Sequence, residues 1–256
     1  MIRNLFIIAG AGLVLSAACI AGAAALGGAD LKRHDWSWTF RDDDGDSVHF
    51  ERARGERGPD ITRTLAWSGT DTLSVELPGE VTYVPGTETS VTVSGAQSAV
   101  ERVRVENGRI FMVQSGERVT LGWRNGELTG WSDNDDLRVT VTAPSVTRFD
   151  LSGSGRLKIN NYDQPTLTLD ISGSGEVEAV GKTTTLAVDL SGSGEVDMRD
   201  LATRDATIEI SGSGEATVAP TGKADIDIAG SGDVYLTTRP AQITRDISGS
   251  GDVHED

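Results

Sequence analysis

The sequence predicts an all-β fold, a parallel β-helix or solenoid whose coils contain about 19 residues each. The main observation is a motif, Asp-Ile-Ser-Gly-Ser-Gly-Glu-Val at residues 170–177, that occurs six times with small changes. The copies are separated by 20, 19, 20, 18 and 19 residues and begin at Asp150, Asp170, Asp189, Glu209, Asp227 and Asp246. A repeat this short cannot bury a core alone, so successive repeats must stack to bury a continuous one.

A second observation is the strict alternation of apolar residues on both sides of each motif. In one copy Leu169, Ile171 and Val177 are apolar, and the residues between them are polar or glycine. A period of two is typical of a β-strand with one buried face. Both glycines of each motif share the parity of the apolar residues. We therefore expect both to point inward, where the coil turns and is too narrow for a side chain.

The outward positions carry two series of acidic residues with serines between them. Stacking in register would align each series into a column with neighbours about 4.8 Å apart. The first carboxylate column would contain Asp150, Asp170, Asp189, Glu209, Asp227 and Asp246. The second carboxylate column would contain Glu176, Glu195, Glu215, Asp233 and Asp252. These oxygen ligands make the columns a candidate Ca²⁺ site, and the alternative is a solvated outer face without a ligand.

Like charges stacked this closely need compensation. Unscreened neighbours in a column would repel by about 1 kcal/mol per pair even in water. We expect salt, bound metal or nearby basic side chains to offset part of this repulsion. The basic candidates are Arg148, Lys158, Arg199, Arg204, Lys223 and Arg245.

The chain divides into four segments. Residues 1–29 have a short basic start and a long uncharged stretch, which predicts a signal peptide or a membrane anchor. Cys19, the only cysteine, is a lipidation candidate within that segment, and ordinary cleavage is the alternative. The charge of residues 30–60 predicts a linker or stalk. Residues 61–149 predict an irregular β region that begins the solenoid and caps its N-terminal side, and residues 150–256 predict the six-repeat β-helix.

Two local signals predict strands before the repeats. Trp36, Trp38 and Phe40 alternate, which fits either a short strand or an aromatic anchor near a membrane surface. Asn107 and Gly108 lie between two alternating apolar runs. This dipeptide in such a context predicts a tight β-hairpin turn.

Charge and composition exclude several classes of function. Without Arg3, the chain beyond residue 29 has 22 basic and 39 acidic residues, a net charge of −17, which disfavours nucleic acid as a partner. His34, His49 and His254 lack the spacings of a metal or nucleophile site. Acids that recur in every coil are also unlike a unique catalytic pair. We therefore predict no enzyme, no catalytic residue and no cofactor-binding residue, with a carbohydrate-active enzyme as a less favoured alternative.

The Ser-Gly-Ser-Gly repeats with their alternating flanks, together with residues 97–110, resemble the bacterial family called putative auto-transporter adhesin, head GIN domain. The resemblance covers about residues 65–254. It implies an exported, right-handed β-helix in the periplasm or cell envelope of a bacterium.

These observations together predict a non-catalytic binding or adhesion module of the cell envelope, tethered to the membrane through its N-terminal segment. The expected partners are an envelope glycan or a surface protein. The alternative is a structural or assembly protein that self-associates through an open C-terminal coil. This alternative follows because the last coil, ending at residues 253–256, is predicted to leave a strand edge unpaired.

Overall fold

The computed structural model describes residues 38–41, 47–52, 59–113, 116–124, 127–132, 134 and 136–255. The predicted signal peptide or anchor at residues 1–29, with Cys19, lies outside these residues. Over the part of the chain that is described, no helix is both long and apolar enough to cross a membrane.

The described residues form twenty-one strands and one helical turn, α1 (Gln97–Val100). The strands up to the repeats are β1 (Trp38–Arg41), β2 (Ser47–Arg52), β3 (Asp60–Leu65), β4 (Thr72–Glu76), β5 (Glu80–Pro85), β6 (Ser90–Ala96), β7 (Val103–Glu106), β8 (Arg109–Met112), β9 (Gly116–Arg124), β10 (Glu127–Ser132) and β11 (Arg138–Ala143). The strands of the repeats are β12 (Arg148–Gly153), β13 (Arg156–Asp163), β14 (Thr166–Gly173), β15 (Glu176–Gly192), β16 (Glu195–Gly212), β17 (Glu215–Pro220), β18 (Lys223–Gly230), β19 (Asp233–Leu236), β20 (Gln242–Gly249) and β21 (Val253–Glu255).

The described residues form two compact units, and those of the smaller one lie within the bounds 1–56 and 115–132. Its four described strands form a sheet in the order β1-β2-β9-β10. The β1–β2 and β9–β10 pairs are antiparallel, and β2 pairs with β9 in parallel.

The structure differs here from the segments expected from composition. Residues 30–60 are charged enough to predict a linker or stalk, but they contain the paired strands β1 and β2. The alternating aromatic residues were the signal for a strand. The parallel partner β9 lies more than sixty residues further along the chain, and local composition carries no information about such a partner. Residues 61–149 are accordingly divided between the two units.

The larger unit, residues 57–114 and 133–256, is the predicted parallel β-solenoid. One ladder of parallel strands runs through β4, β12, β14, β15, β16, β18 and β20. A second ladder runs through β5, β13, β15, β16, β17, β19 and β21. The long strands β15 and β16 take part in both ladders. Each Ser-Gly-Ser-Gly motif is the corner where the chain passes from the first ladder to the second.

The repeats stack without slipping, so that each buried position lies over the same position of the preceding coil. Strand pairing places Asp150 beside Asp170, Asp170 beside Asp189, and so on through all six copies. Several buried columns result. One contains Phe149, Leu169, Val188, Ile208 and Ile226, and a second contains Leu151, Ile171, Leu190, Ile210 and Ile228. A third contains Leu157, Val177, Val196, Ala216 and Val234. Each apolar residue therefore contacts apolar residues above and below it, which no single coil could provide.

The N-terminal side of the solenoid is built from less regular strands. Strand β6 pairs antiparallel with both β3 and β11, and β11 also pairs in parallel with β5. The β7–β8 hairpin confirms the turn predicted at Asn107 and Gly108, which have φ values of +51° and +83°. Positive φ at both positions is what a two-residue turn between twisted strands requires.

Three aromatic rings fill the core where the irregular strands meet the first repeat. The ring centroids of Tyr83 and Phe149 are 5.2 Å apart, and those of Phe149 and Tyr162 are 6.1 Å apart, both edge to face. The buried hydroxyl of Tyr83 donates to the carbonyl of Ala143 and accepts from the amide of Val146. The aromatic side chains at this end of the solenoid are therefore packed with their polar atoms paired.

The two glycines of each motif have different roles, and the prediction that both point inward is wrong for the first. The second glycine is buried in most copies, and at Gly175 a Cβ atom would lie 2.6 Å from the Leu151 side chain. The first glycine is not buried in any copy. It lies along the stack, and at Gly212 a Cβ atom would lie 2.3 Å from the carbonyl oxygen of Gly192. The alternation of apolar residues does not predict this position, because the positive φ of the first glycine interrupts the alternation of the strand.

The carbonyl group of the first glycine also forms a hydrogen bond that links the corners of adjacent coils. The Ser213 amide donates to the Gly192 carbonyl at 2.8 Å, and the Ser231 amide donates to the Gly212 carbonyl at 2.7 Å. A side chain on the first glycine would push these backbones apart and break the bond. Close backbone approach, rather than a narrow core, is therefore the reason for glycine at this position.

We predict that Gly212→Ala lowers the free energy of unfolding by about 3 kcal/mol or more, because strain at a φ of +133° is added to the clash with Gly192. Gly153→Ala is the matched control, since Gly153 has a φ of +93° but no atom within 4 Å of its Cβ position. It should cost only the backbone strain, about 1–2 kcal/mol. Urea unfolding measures both variants, and equal losses would contradict the stacking argument.

Candidate binding face

The outer face of the solenoid carries both predicted carboxylate columns in register. The first column runs along the first ladder from Asp150 to Asp246, with each acid paired to the acid at the same position of the next coil. The second column pairs Glu176 with Glu195, Glu195 with Glu215, and Glu215 with Asp233. Asp252 continues it, since its backbone amide donates to a carboxylate oxygen of Asp233 at 2.9 Å. The expected alignment of both columns is therefore confirmed.

Hydroxyl groups run beside the first carboxylate column. Strand pairing aligns the first serine of each motif into a serine column containing Ser152, Ser172, Ser191, Ser211 and Ser248, with Ala229 in the fifth copy. The Ser172 hydroxyl donates to the Ser152 hydroxyl at 3.2 Å. The exposed corner thus presents carboxylates and hydroxyls that repeat at the strand spacing of about 4.8 Å.

At the N-terminal end, both columns continue into residues that are not all acidic. The first column continues from Asp150 to Ser74 and then to Arg109. The second continues from Glu176 to Arg156 and then to Glu80. The sequence showed a signal for Arg156, which occupies the glutamate position of the first motif copy, but strand pairing is needed to find Glu80 beside it.

In the described structure, ion pairs compensate the columns only at this N-terminal end. The Arg148 guanidinium is 3.3 Å from the Asp170 carboxylate, and the Arg156 guanidinium is 2.5 Å from the Glu176 carboxylate. Lys158 is 2.9 Å from Glu80. Among the described residues, nine column carboxylates form no ion pair, namely Asp150, Asp189, Glu209, Asp227, Asp246, Glu195, Glu215, Asp233 and Asp252.

Most of the basic residues expected to compensate the columns pair elsewhere. Of the six, Arg148 alone forms an ion pair with a column acid in the described structure. Four others pair with acids outside the columns, in the pairs Arg199–Asp197, Arg204–Asp205, Lys223–Asp225 and Arg245–Glu255. The expectation is wrong for these four side chains because each reaches an acid outside the columns. For Arg199, Arg204 and Lys223 that acid is one or two residues away in the sequence, and for Arg245 it is Glu255 of the terminal coil.

Like-charge contact within a column has an electrostatic consequence at Asp150. Burial raises the pKa of this carboxyl, and the neighbouring carboxylate of Asp170 raises it further, whereas Arg148 lowers it. The charged form of Asp150 is therefore disfavoured in the folded protein. Because the folded pKa lies above the unfolded one, the associated stability is present at acid pH and is lost as the pH rises through the folded pKa.

The terminal coil, residues 242–255, adds an aromatic contact next to the second column. The rings of Tyr235 and His254 are stacked, with centroids 4.6 Å apart and an angle of 17° between their planes. Burial and the nearby carboxylates of Glu215, Asp233 and Asp252 raise the pKa of Tyr235. A planar surface thus lies beside unpaired acids at this end of the face.

Within the described residues, no three acidic, histidine or cysteine side chains are grouped closely enough to hold a metal ion. The columns are linear, so they place neighbouring carboxylates along a line and not around a point. Binding of Ca²⁺ by the columns stays a prediction.

We predict that Asp150→Asn raises the free energy of unfolding at pH 7 by about 0.5–1 kcal/mol, because it removes a partly buried charge beside Asp170. The gain should disappear below about pH 4, where the wild-type carboxyl is also neutral. Denaturant unfolding at both pH values measures this. Asp200→Asn, at an exposed acid outside the columns, should change little, and a destabilised Asp150→Asn at pH 7 would contradict the prediction.

Comparison with known proteins supports the same architecture. The chain resembles a crystal structure of a putative adhesin from Bacteroides fragilis with a TM-score of 0.57 and 18% identity, covering 77% of this chain and 97% of that one. It also matches a putative lipid binding protein from Parabacteroides distasonis, with a TM-score of 0.45, 18% identity and coverage of 81% and 99%. A putative adhesin from the same species matches with a TM-score of 0.42, 15% identity and coverage of 81% and 100%.

At these identities the first of these structures supports the fold alone, and the other two carry no further argument. No curated protein is similar enough to this chain to count as a match. The family described as putative auto-transporter adhesin, head GIN domain, matches residues 70–240, which include five of the six motif starts. The chain therefore belongs to the putative auto-transporter adhesin, head GIN domain family.

Proposed function

We propose that the chain is a non-catalytic adhesion module of the bacterial cell envelope, exported and tethered through residues 1–29. In this proposal, the outer face with its carboxylate and serine columns binds an envelope glycan or a surface protein. Membership of an adhesin family supports the general role. The observation that carries the specific proposal is the set of nine carboxylates that are aligned in two columns and form no ion pair in the described structure.

Solubility alone does not require this alignment. Like charges directly opposite one another on neighbouring strands destabilise a sheet, and scattered charges would keep the protein soluble at less cost. Basic side chains of the C-terminal coils form ion pairs outside the columns, so they do not compensate the column acids there. A function that uses the exposed carboxylates accounts for both features.

Chemistry favours a partner with repeated hydroxyl groups. Carboxylates accept hydrogen bonds from hydroxyls, serine hydroxyls both donate and accept, and the stacked rings of Tyr235 and His254 offer a flat surface to a sugar ring. Because the groups repeat at each coil, a repeating partner can make many weak contacts at once, and such contacts combine into high avidity. An anionic partner would need Ca²⁺ between itself and the carboxylates, which is the role that we propose for this ion.

We predict that the full chain binds isolated bacterial envelope glycans and that neutralising three column acids weakens this binding at least about tenfold. The variant is Asp189→Asn, Glu195→Gln and Glu209→Gln. Its matched control is Glu88→Gln, Glu106→Gln and Asp200→Asn, which removes the same charge at exposed sites outside the columns. Sedimentation of the protein with the glycans, in EDTA and in millimolar calcium, measures the binding.

Loss of binding in the column variant but not in the control would support the proposed function. Binding that needs calcium would indicate a metal-bridged contact, and a calcium-dependent rise in Tm should then be lost in the column variant. Equal binding by both variants, or no binding to glycans or whole cells in either buffer, would contradict the proposal.

A second candidate function is assembly through the terminal coil. In the described structure β20 pairs only with β18 and β21 only with β19, so each has an edge without a strand partner. Ile247 is 37% exposed at this end, although its position is buried in the preceding coils. An open edge next to an exposed apolar side chain is typical of a surface that joins another strand.

If assembly uses this edge, the full chain should form dimers or larger species that Ile247→Lys reduces by at least about fivefold in association constant, because a charge would face the joined coil. Val180→Lys is the matched control, since Val180 is also 37% exposed but belongs to β15 in the middle of the stack. Light scattering over a concentration series measures the association. A monomer at all concentrations would exclude this function.

A further inference from the structure

A polar pocket lies on the irregular N-terminal side of the solenoid, away from the terminal coil. Its volume is about 280 Å³, and it is formed by β3, β6 and the residues at the start of β11. Five polar side chains line it, namely Asp60, Thr62, Ser94, Asp136 and Arg138. Apolar lining is limited to Ile61, and the pocket therefore differs from the larger, mostly apolar cavities that bind drug-like ligands.

Strand pairing explains why these side chains meet. Thr62 of β3 lies opposite Ser94 of β6, and Ser94 lies opposite Arg138 of β11. The three side chains therefore share one row, which spans two strand spacings, or about 10 Å. Asp60 lies two residues before Thr62 on β3, and side chains two residues apart on a strand share a face. Asp136 lies in the turn before β11 and also lines the pocket.

A glycine forms the floor of the pocket. Gly95 is buried, and a Cβ atom there would lie 2.9 Å from the carbonyl oxygen of Asp136. The backbone before β11 can therefore approach β6 closely, which brings Asp136 and Arg138 next to Ser94. Backbone packing thus fixes the floor and places the polar groups above it.

The polar groups match the hydrogen-bonding groups of a sugar ring. Carboxylates accept hydrogen bonds from adjacent hydroxyls, the guanidinium donates to ring or hydroxyl oxygens, and the hydroxyls of Thr62 and Ser94 do both. Two carboxylates and one guanidinium give the lining a formal charge of −1, which disfavours an anionic sugar. We propose that this pocket binds one ring of a neutral or amino sugar.

The pocket also lies in line with the second carboxylate column. Arg138 pairs with Glu80, Glu80 with Arg156, and Arg156 with Glu176, which begins that column. A glycan held by one sugar in the pocket could thus extend along the column toward Asp252. This extension rests on the proposed function of the outer face, whereas the pocket proposal stands on its own lining.

The test uses saturation-transfer NMR on the full chain with three sugars that differ mainly in charge, glucose, glucosamine and glucuronate. The corresponding galactose and mannose series are measured in the same way, so that the test covers three ring stereochemistries. We expect millimolar binding of the neutral and amino forms in at least one series. Glucuronate or its equivalent should bind at least about tenfold more weakly because of the two carboxylates.

Two variants probe the pocket itself. Ser94→Ala removes the hydroxyl without adding atoms to the pocket, and it should weaken binding of the neutral sugar about fivefold to tenfold. Asp60→Asn makes the lining formally neutral, and it should reduce the discrimination against the uronic acid. Glu88→Gln, outside the pocket, should change neither value and serves as the control for net charge.

The outcomes separate this inference from the proposed function. Sugar binding that is retained in the column variant but weakened about fivefold to tenfold in Ser94→Ala would support the pocket. No saturation transfer in any series at tens of millimolar sugar would overturn it, as would equal binding of the uronic acid or unchanged binding in both pocket variants. Loss of glycan sedimentation in the column variant would still support the outer face in that case.

Discussion

Close backbone stacking at the first glycine of each motif is the constraint on which the rest of this solenoid depends. At this corner the glycine carbonyl of one coil accepts a hydrogen bond from the serine amide of the next, as in Ser213 to Gly192 and Ser250 to Gly230. The bond needs a separation that leaves no room for a Cβ atom. Because the corner is shared by both ladders, it sets the register of the buried columns and of the outer face together.

Because the register is fixed, the residue at each outward position of a repeat determines the charge of the outer face at that coil. The N-terminal end of the outer face mixes signs, since Arg109, Arg148 and Arg156 lie in or beside the columns there. Toward the terminal coil the columns are acidic without ion pairs in the described structure. The face therefore has an electrostatic direction along the stack, from a compensated end to an uncompensated one, although every coil has nearly the same backbone.

The two proposed binding regions follow from this direction. Near the N-terminal side, charges of both signs surround a pocket with the size and polarity for a single sugar ring. Further along, carboxylates and hydroxyls repeat at each strand, which suits a partner that also repeats. Both regions lie on one row of outward residues that runs from Thr62 through Glu176 to Asp252. One linear glycan could use both of them.

The sequence by itself determined the all-β solenoid, the six stacked copies, both carboxylate columns and the hairpin at Asn107, because repetition and alternation are local and periodic signals. Only the tertiary structure decided which basic residues pair with the columns, since that choice depends on distances between coils. It also decided the pocket, because Thr62, Ser94 and Arg138 come from non-repeating strands whose pairing no period reveals. The first glycine of the motif is a further example, because glycine is required there by the backbone of the neighbouring coil and not by its own coil.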